Sequence, residues 1–209
     1  MYSHRKKIIF KFSILDIAME DFIGKYKIDF EVCDDVLKFF KKNKKRQSSG
    51  VIGHNNVDYT RKESTDIGLG GEDGLEPLLK RYFEDLEFCL NKYKKKYIYS
   101  NIDQERYTLS GANIQRYKPG QGFKKWHYEN TGTAPTSLRR HLVFMTYLND
   151  CKNAGTDFYY QNKTFQCTKG RTLIWPSAWT HTHKGVISDK QKTDKYIITG
   201  WWSWVNLNE

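Results

Sequence analysis

From residue 112 to 205 the chain breaks into short apolar or alternating stretches, each bounded by turn residues. No other feature restricts the fold as strongly. The stretches run over 113–117, 125–129, 141–148, 156–160, 164–167, 172–175, 181–186 and 195–205. Between them lie Lys118-Pro119-Gly120, Asn130-Thr131-Gly132, Asn149-Asp150, Gln161-Asn162, Lys169-Gly170 and Pro176-Ser177. Proline and glycine end strands, and asparagine and aspartate tolerate the backbone that turns need. About eight short strands at this spacing predict an antiparallel sandwich or barrel of jelly-roll type.

The first half reads differently. Phe10, Phe12 and Ile14 alternate with Lys11 and Ser13, which predicts a strand over 8–14. Cys33, Val36, Leu37 and Phe40 recur at helical spacing, so a helix should run to about Lys42. Residues 48–73 are polar and glycine-rich and read as a long loop or irregular arm near the barrel mouth. Leu79, Tyr82, Phe83, Leu86, Leu90, Tyr93 and Tyr97 form one apolar stripe, starting near Glu76-Pro77, where proline suits a first helical turn. The expected architecture is a single domain over 1–209, mainly β with helices. Residues 1–111 supply a strand and supporting helices, and residues 112–205 the jelly-roll core.

The 209 residues carry a net charge of +11, much of it in the blocks 41–46 and 92–96. Each block falls at the end of an expected helix, where cations complement the helix dipole. That reading is preferred to a nucleic-acid surface. Cys33, Cys89, Cys151 and Cys167 show no paired spacing, which argues for a reducing compartment and against structural zinc. With no secretory pattern and no apolar run of membrane-spanning length, the expectation is a cytoplasmic protein.

One triplet carries chemistry. In an extended segment, residues i and i+2 point to one side, so His127 and Glu129 can face one point. Downstream, Trp179-Thr180-His181-Thr182-His183 offers a further imidazole, and His181 and His183 share a face on a strand. Two histidines and a carboxylate form the facial triad of non-haem Fe(II) oxygenases, which leaves open positions on the metal. Such a site needs a reductant, commonly a 2-oxo acid whose far carboxylate is held by a cation. Lys195 shares a face with Thr199 and Trp201 on the last stretch, so a lysine, a hydroxyl and a tryptophan wall can form that clamp.

With these residues in view, the chain from about Asn113 to Trp204 resembles the Fe(II)/2-oxoglutarate-dependent oxygenases of the prolyl 4-hydroxylase type, in particular short phage and microbial forms. The resemblance rests on Tyr117-Lys118-Pro119-Gly120, His127-Tyr128-Glu129, Tyr147-Leu148-Asn149-Asp150 and Gly155-Thr156-Asp157-Phe158. It continues through Lys169-Gly170-Arg171, His183-Lys184-Gly185 and Lys195-Tyr196-Ile197-Ile198-Thr199-Gly200-Trp201. It implies a double-stranded β-helix, with His127, Glu129 and His183 on iron. It also implies Lys195 and Tyr147 on the 5-carboxylate of 2-oxoglutarate, with Tyr117 and Trp201 lining that pocket. Fe(II), 2-oxoglutarate and O2 would be the cofactors and co-substrates, with ascorbate supportive. The substrate would be a peptidyl residue or a small molecule. Most relatives carry aspartate where this chain has Glu129, whose extra methylene changes the reach to the metal. The alternatives are a nucleic-acid oxidative demethylase and a non-catalytic metal-binding jelly-roll module. The first is disfavoured because the stretch after the distal histidine holds no arginine, and the second because triad and clamp are both intact.

Overall fold

A computed structural model describes residues 20–53, 56–104 and 107–205. The strand expected over 8–14 lies outside them. The elements are β1 (Gly24–Lys27), α1 (Phe30–Lys42), β2 (Ser48–Ser49), β3 (Thr65–Leu69), α2 (Pro77–Lys96), β4 (Tyr107–Tyr117), α3 (Pro135–Leu138), β5 (Arg140–Tyr147), β6 (Cys151–Phe158), β7 (Lys163–Cys167), β8 (Arg171–Pro176), β9 (His183–Val186) and β10 (Lys195–Trp204). A seven-stranded sheet runs β1-β8-β5-β10-β4-β3-β2, and a three-stranded sheet β7-β6-β9 faces it. Every pairing is antiparallel. This is the double-stranded β-helix, or jelly roll, that the turn pattern predicts.

The large sheet is buried on both faces, and its side-chain period of two sorts them. Leu142, Phe144, Ile174, Ile198 and Trp202 point to one side and pack with Val36, Phe40, Leu79, Tyr82 and Leu86 of the helices. Val143, Met145, Tyr147, Leu173, Trp175 and Ile197 point to the other side and meet Phe158 and Phe165 of the small sheet. A slip of one residue in β10 would move Lys195 from the inner layer to the helical layer, so the apolar pattern fixes the site's register.

The helices form as their sequences dictate. In α1, Val32, Cys33, Val36, Phe39 and Phe40 are buried along one stripe, and Lys41 and Lys42 occupy the last turn. In α2, Pro77 opens the first turn, where no amide donor is required, and Lys94, Lys95 and Lys96 close the last. Phe40→Ala removes a fully buried ring between helix and sheet. It should cost about 3–5 kcal/mol, read as a lower denaturant midpoint.

Three expectations are corrected. Residues 48–73 are not one loop: β2 pairs with β3, and β3 with β4, extending the sheet edge. Ile67 and Leu69 are buried there, but Asp66 and Gly68 disguise the strand, since both residue types are depleted in strands. With β1, these strands bring the first half of the chain into the large sheet. Residues 125–129 form no regular strand: the chain bends at Lys125 and Glu129, and its backbone pairs with β9 through a bridge between His127 and His183. His181 lies in a single helical turn, Trp179–His181, not on a strand with His183. Among the described residues no helix is long and apolar enough to cross a membrane.

Candidate metal and co-substrate site

The site lies where the 125–130 segment crosses between the two sheets. His127 and His183 exchange both backbone hydrogen bonds, His127 N to His183 O at 2.9 Å and His183 N to His127 O at 2.8 Å. Two residues on, the amides of Glu129 and Asn130 donate to the Ser177 carbonyl at 3.0 and 2.9 Å. The segment is thus held at β9 and again just past the end of β8. Between those anchors His127 and Glu129 turn their side chains to one point, although no regular strand forms.

The ligating atoms converge. Glu129 Oε1 lies 3.5 Å from His127 Nε2 and 3.7 Å from His183 Nε2. One donor atom from each of the three residues falls within 4.8 Å of the others. Each imidazole uses Nδ1 against a backbone carbonyl, His127 on Lys125 O at 3.1 Å and His183 on His181 O at 2.9 Å. A carbonyl only accepts, so Nδ1 carries the proton and Nε2 presents a lone pair, the tautomer a metal ligand requires. The Phe123 ring stacks on His127 with centroids 3.5 Å apart, and Trp175 and Phe158 flank His183 at 5.1 and 5.5 Å.

Electrostatics agree with the geometry. Burial alone would raise the Glu129 carboxyl, but its histidine and arginine neighbours, His127, His183 and Arg140, outweigh it and hold the group at about 2. Burial, reinforced by His127, pushes the His183 imidazole down to about 3. One carboxylate and two imidazoles converging on one point form a donor set that a divalent cation satisfies.

The glutamate's extra length is taken up on its far oxygen. Glu129 Oε2 accepts from Arg140 Nη1 at 3.0 Å and from Trp201 Nε1 at 3.0 Å. The Arg140 guanidinium lies 3.8 Å from the centre of the Trp201 ring, so the two donors brace each other. Oε2 is occupied, and Oε1 is the atom turned toward the imidazoles. Trp201 therefore touches the ligand set as well as facing the inner layer, and Arg140 is a site residue the sequence did not reveal. Trp201→Phe keeps the ring and deletes one donor. It should weaken divalent-metal binding about 10- to 100-fold, measured by calorimetric titration of Mn(II) or Fe(II). An unchanged affinity would remove the brace from the account.

Lys195 stands next to Tyr117 across β10 and β4. It is buried, with Nζ 3.5 Å from the Gly155 carbonyl and 4.7 Å from the Tyr117 ring centre. No carboxylate of the described residues forms an ion pair with it. Burial pushes its pKa down, the signature of a cation lacking its counter-charge. The expected hydroxyls are already engaged. Tyr117 donates to Gln115 Oε1 at 2.6 Å, and Thr199 to the Phe144 carbonyl at 2.8 Å. The Tyr147 hydroxyl reaches Thr156 Oγ1 at 2.8 Å and the Phe165 carbonyl at 3.0 Å. Gly155 must be glycine, since a Cβ there would collide with the Phe165 carbonyl. His181 is not in the group: Nε2 meets the Asp21 carbonyl and Nδ1 the Thr180 hydroxyl, both at 3.0 Å.

Comparison with known proteins adds an independent finding. Residues 112–203 match the model of the 2OG-Fe(II) oxygenase superfamily. The structure resembles a viral collagen prolyl hydroxylase from Paramecium Bursaria Chlorella virus-1, solved with 2-oxoglutarate. The TM-score is 0.62 at 19% identity, covering 88% of this chain and 97% of that one. It also resembles a Trichoplax adhaerens prolyl hydroxylase in complex with a peptide fragment of the hypoxia inducible factor oxygen degradation domain. There the TM-score is 0.62 at 18% identity, over 86% and 83% of the two chains. A Pseudomonas putida prolyl-4-hydroxylase aligns with a TM-score of 0.65 at 11% identity, over 87% and 92%. At these identities the structural likeness speaks for the fold. No curated protein sequence matches this chain significantly.

Proposed function

We propose, from the match of residues 112–203 to the model of the 2OG-Fe(II) oxygenase superfamily, that the chain is an oxygenase of this type and hydroxylates a peptidyl residue, proline being the first candidate. The observation that carries the reading is the convergence of His127, Glu129 and His183 with both Nε2 atoms free and the second carboxylate oxygen engaged. These residues would hold Fe(II). Bound there, the iron would supply oxygen activation coupled to decarboxylation of 2-oxoglutarate.

The chain's own residues do the rest. The carbonyls of Lys125 and His181 keep each Nδ1 protonated and orient the rings. Arg140 and Trp201 keep the carboxylate ionised and turned. Lys195, buried with no carboxylate partner among the described residues, would bind the far carboxylate of 2-oxoglutarate, with Tyr147 and Tyr117 as pocket walls. Phe123, Phe158 and Trp175 exclude water from the imidazoles, which strengthens every charge interaction inside. A peptide substrate is supported by the solved relatives, one of which holds a peptide fragment. The lysine blocks lie in or just after the last turns of α1 and α2, where the helix dipole accounts for them, and β10 carries no arginine. Both observations weigh against a nucleic-acid substrate. The test is incubation with proline-containing peptides, Fe(II), 2-oxoglutarate and ascorbate. A peptide should gain one oxygen atom by mass spectrometry. Oxidation of a free metabolite or a nucleotide in place of every peptide would overturn the substrate class.

A further inference from the structure

Away from the metal site, a cleft of about 1010 Å³ runs along β1, between α2 and β7. Lys25, Lys27, Lys92, Lys169 and Arg171 line it, and no aspartate or glutamate does. Lys169 is paired with Asp34 at 2.7 Å. The other four form no ion pair with a carboxylate of the described residues. Acids outside the lining are engaged or turned elsewhere. Asp21, which feels the Lys25 charge, is held by Lys163 and the Ile23 amide, and Asp157 accepts from the Thr164 hydroxyl. Asp29 and Asp85 oppose each other rather than the cations.

Strand pairing concentrates the charge. Lys27 and Arg171 are directly opposed partners of β1 and β8, and Lys25 lies two residues along the same face. Like charges directly opposite each other across an antiparallel pair are destabilising. Lysines on an end strand deter unwanted pairing, which accounts for Lys25 and Lys27. Arg171 stands on an interior strand, so that reason does not reach it. Its guanidinium is anchored through Nη1 to the Gln166 carbonyl at 2.6 Å. The ammonium groups are ordered too. Lys27 and Lys169 lie 4.7 and 5.4 Å from the Phe30 ring centre, and Lys92 lies 4.3 Å from that of Phe88. An anion bound on this cluster would remove the repulsion.

The floor of the cleft selects the kind of anion. Among the described residues β1 ends the large sheet and β7 the small one. The Ile28 amide donates to the Gly170 carbonyl at 2.9 Å, on the β8 side. Alternation along the pair then turns the amides and carbonyls of Lys25 and Lys27 away from β8. Such a row pairs with another main chain. Stacked bases need open ring faces, and Phe30 and Phe88 already carry ammonium groups. We infer that this cleft binds an acidic segment of a partner protein, added to β1 as an extended strand with alternate carboxylates on Lys25, Lys27 and Arg171. At about 3.3 Å per residue, the length of β8 puts Arg171 about 20 Å from Ser177, where the metal-site segment is anchored. The inference therefore stands on the cleft alone, whatever reaction the metal site performs.

Fluorescence anisotropy tests this without turnover. A fluorescein-labelled eight-residue alternating Glu-Thr peptide is titrated into wild type and into the double variant Lys25→Glu, Lys27→Glu. Both lysines are exposed, so the variant should fold as wild type does. Reversing their charge should weaken binding about tenfold or more. Two further peptides carry N-methyl groups on every glutamate amide or on every threonine amide. Only one of these sets faces β1, so one methylated form should lose about tenfold in affinity and the other far less. This comparison uses wild type alone and does not depend on the variant. A ten-nucleotide oligothymidylate should bind more weakly than the Glu-Thr peptide. Equal binding by wild type and variant, no binding by either, both methylated forms binding as the parent does, or tighter binding of oligothymidylate would overturn the inference.

Discussion

His127→Ala will lose Fe(II) at concentrations that saturate the wild type, with affinity falling by at least about 100-fold. Partner groups outside the ligand set already cost 10- to 100-fold when removed, and a direct ligand costs more. His127 is one of three donors, and its backbone pairing with His183 means the alanine variant keeps the strand bridge and deletes only the imidazole. His181→Ala is the control. Its ring is bonded to Asp21 and Thr180, so it should keep iron and lose about 0.5–1.5 kcal/mol of stability for each bond removed. Wild-type iron affinity in His127→Ala, or loss of iron in His181→Ala, would reassign the ligands.

Lys195→Ala will raise the 2-oxoglutarate requirement about ten- to a hundred-fold, because a charge-assisted hydrogen bond to a carboxylate contributes about 1.5–3 kcal/mol. Its Fe(II) affinity should be unchanged. The same burial that suits Lys195 to an anion makes it a liability without one. Lys195→Met should therefore be at least as stable as wild type when 2-oxoglutarate is absent and should gain less from its addition, visible as a smaller ligand-induced rise in Tm. Lys195→Arg keeps the charge but presents a wider planar fork and should bind 2-oxoglutarate between wild type and alanine. An unchanged 2-oxoglutarate requirement in Lys195→Ala would make the lysine a structural cation.

Much of this was legible in the sequence because it depends on local periodicity. β5, β8 and β10 are apolar runs ended by turn residues, and α2 declares itself through its stripe and Pro77. His127 and Glu129 still meet at one point without a regular strand, because the bridge to His183 and the bonds to Ser177 hold the segment in place. What was illegible depends on distance in space. The helical turn Trp179–His181 breaks the alternation that made His181 and His183 look equivalent, and Thr180 and Thr182, as strand-favouring residues, hide it. β3 is held by pairing with β4 rather than by its own propensity. Arg140 and Trp201 act on Glu129 from 11 and 72 residues away, and no spacing rule connects them.

The central claim is that this chain couples 2-oxoglutarate decarboxylation to iron held by His127, Glu129 and His183. The most direct test measures succinate released from 2-oxoglutarate by purified protein supplied with Fe(II), ascorbate and air, alongside His127→Ala and a chelator-treated sample. The account predicts succinate from the wild type, and none above the protein-free background from either control. Succinate formation that persists equally in His127→Ala, or none from iron-loaded wild type across the peptide panel, would contradict it.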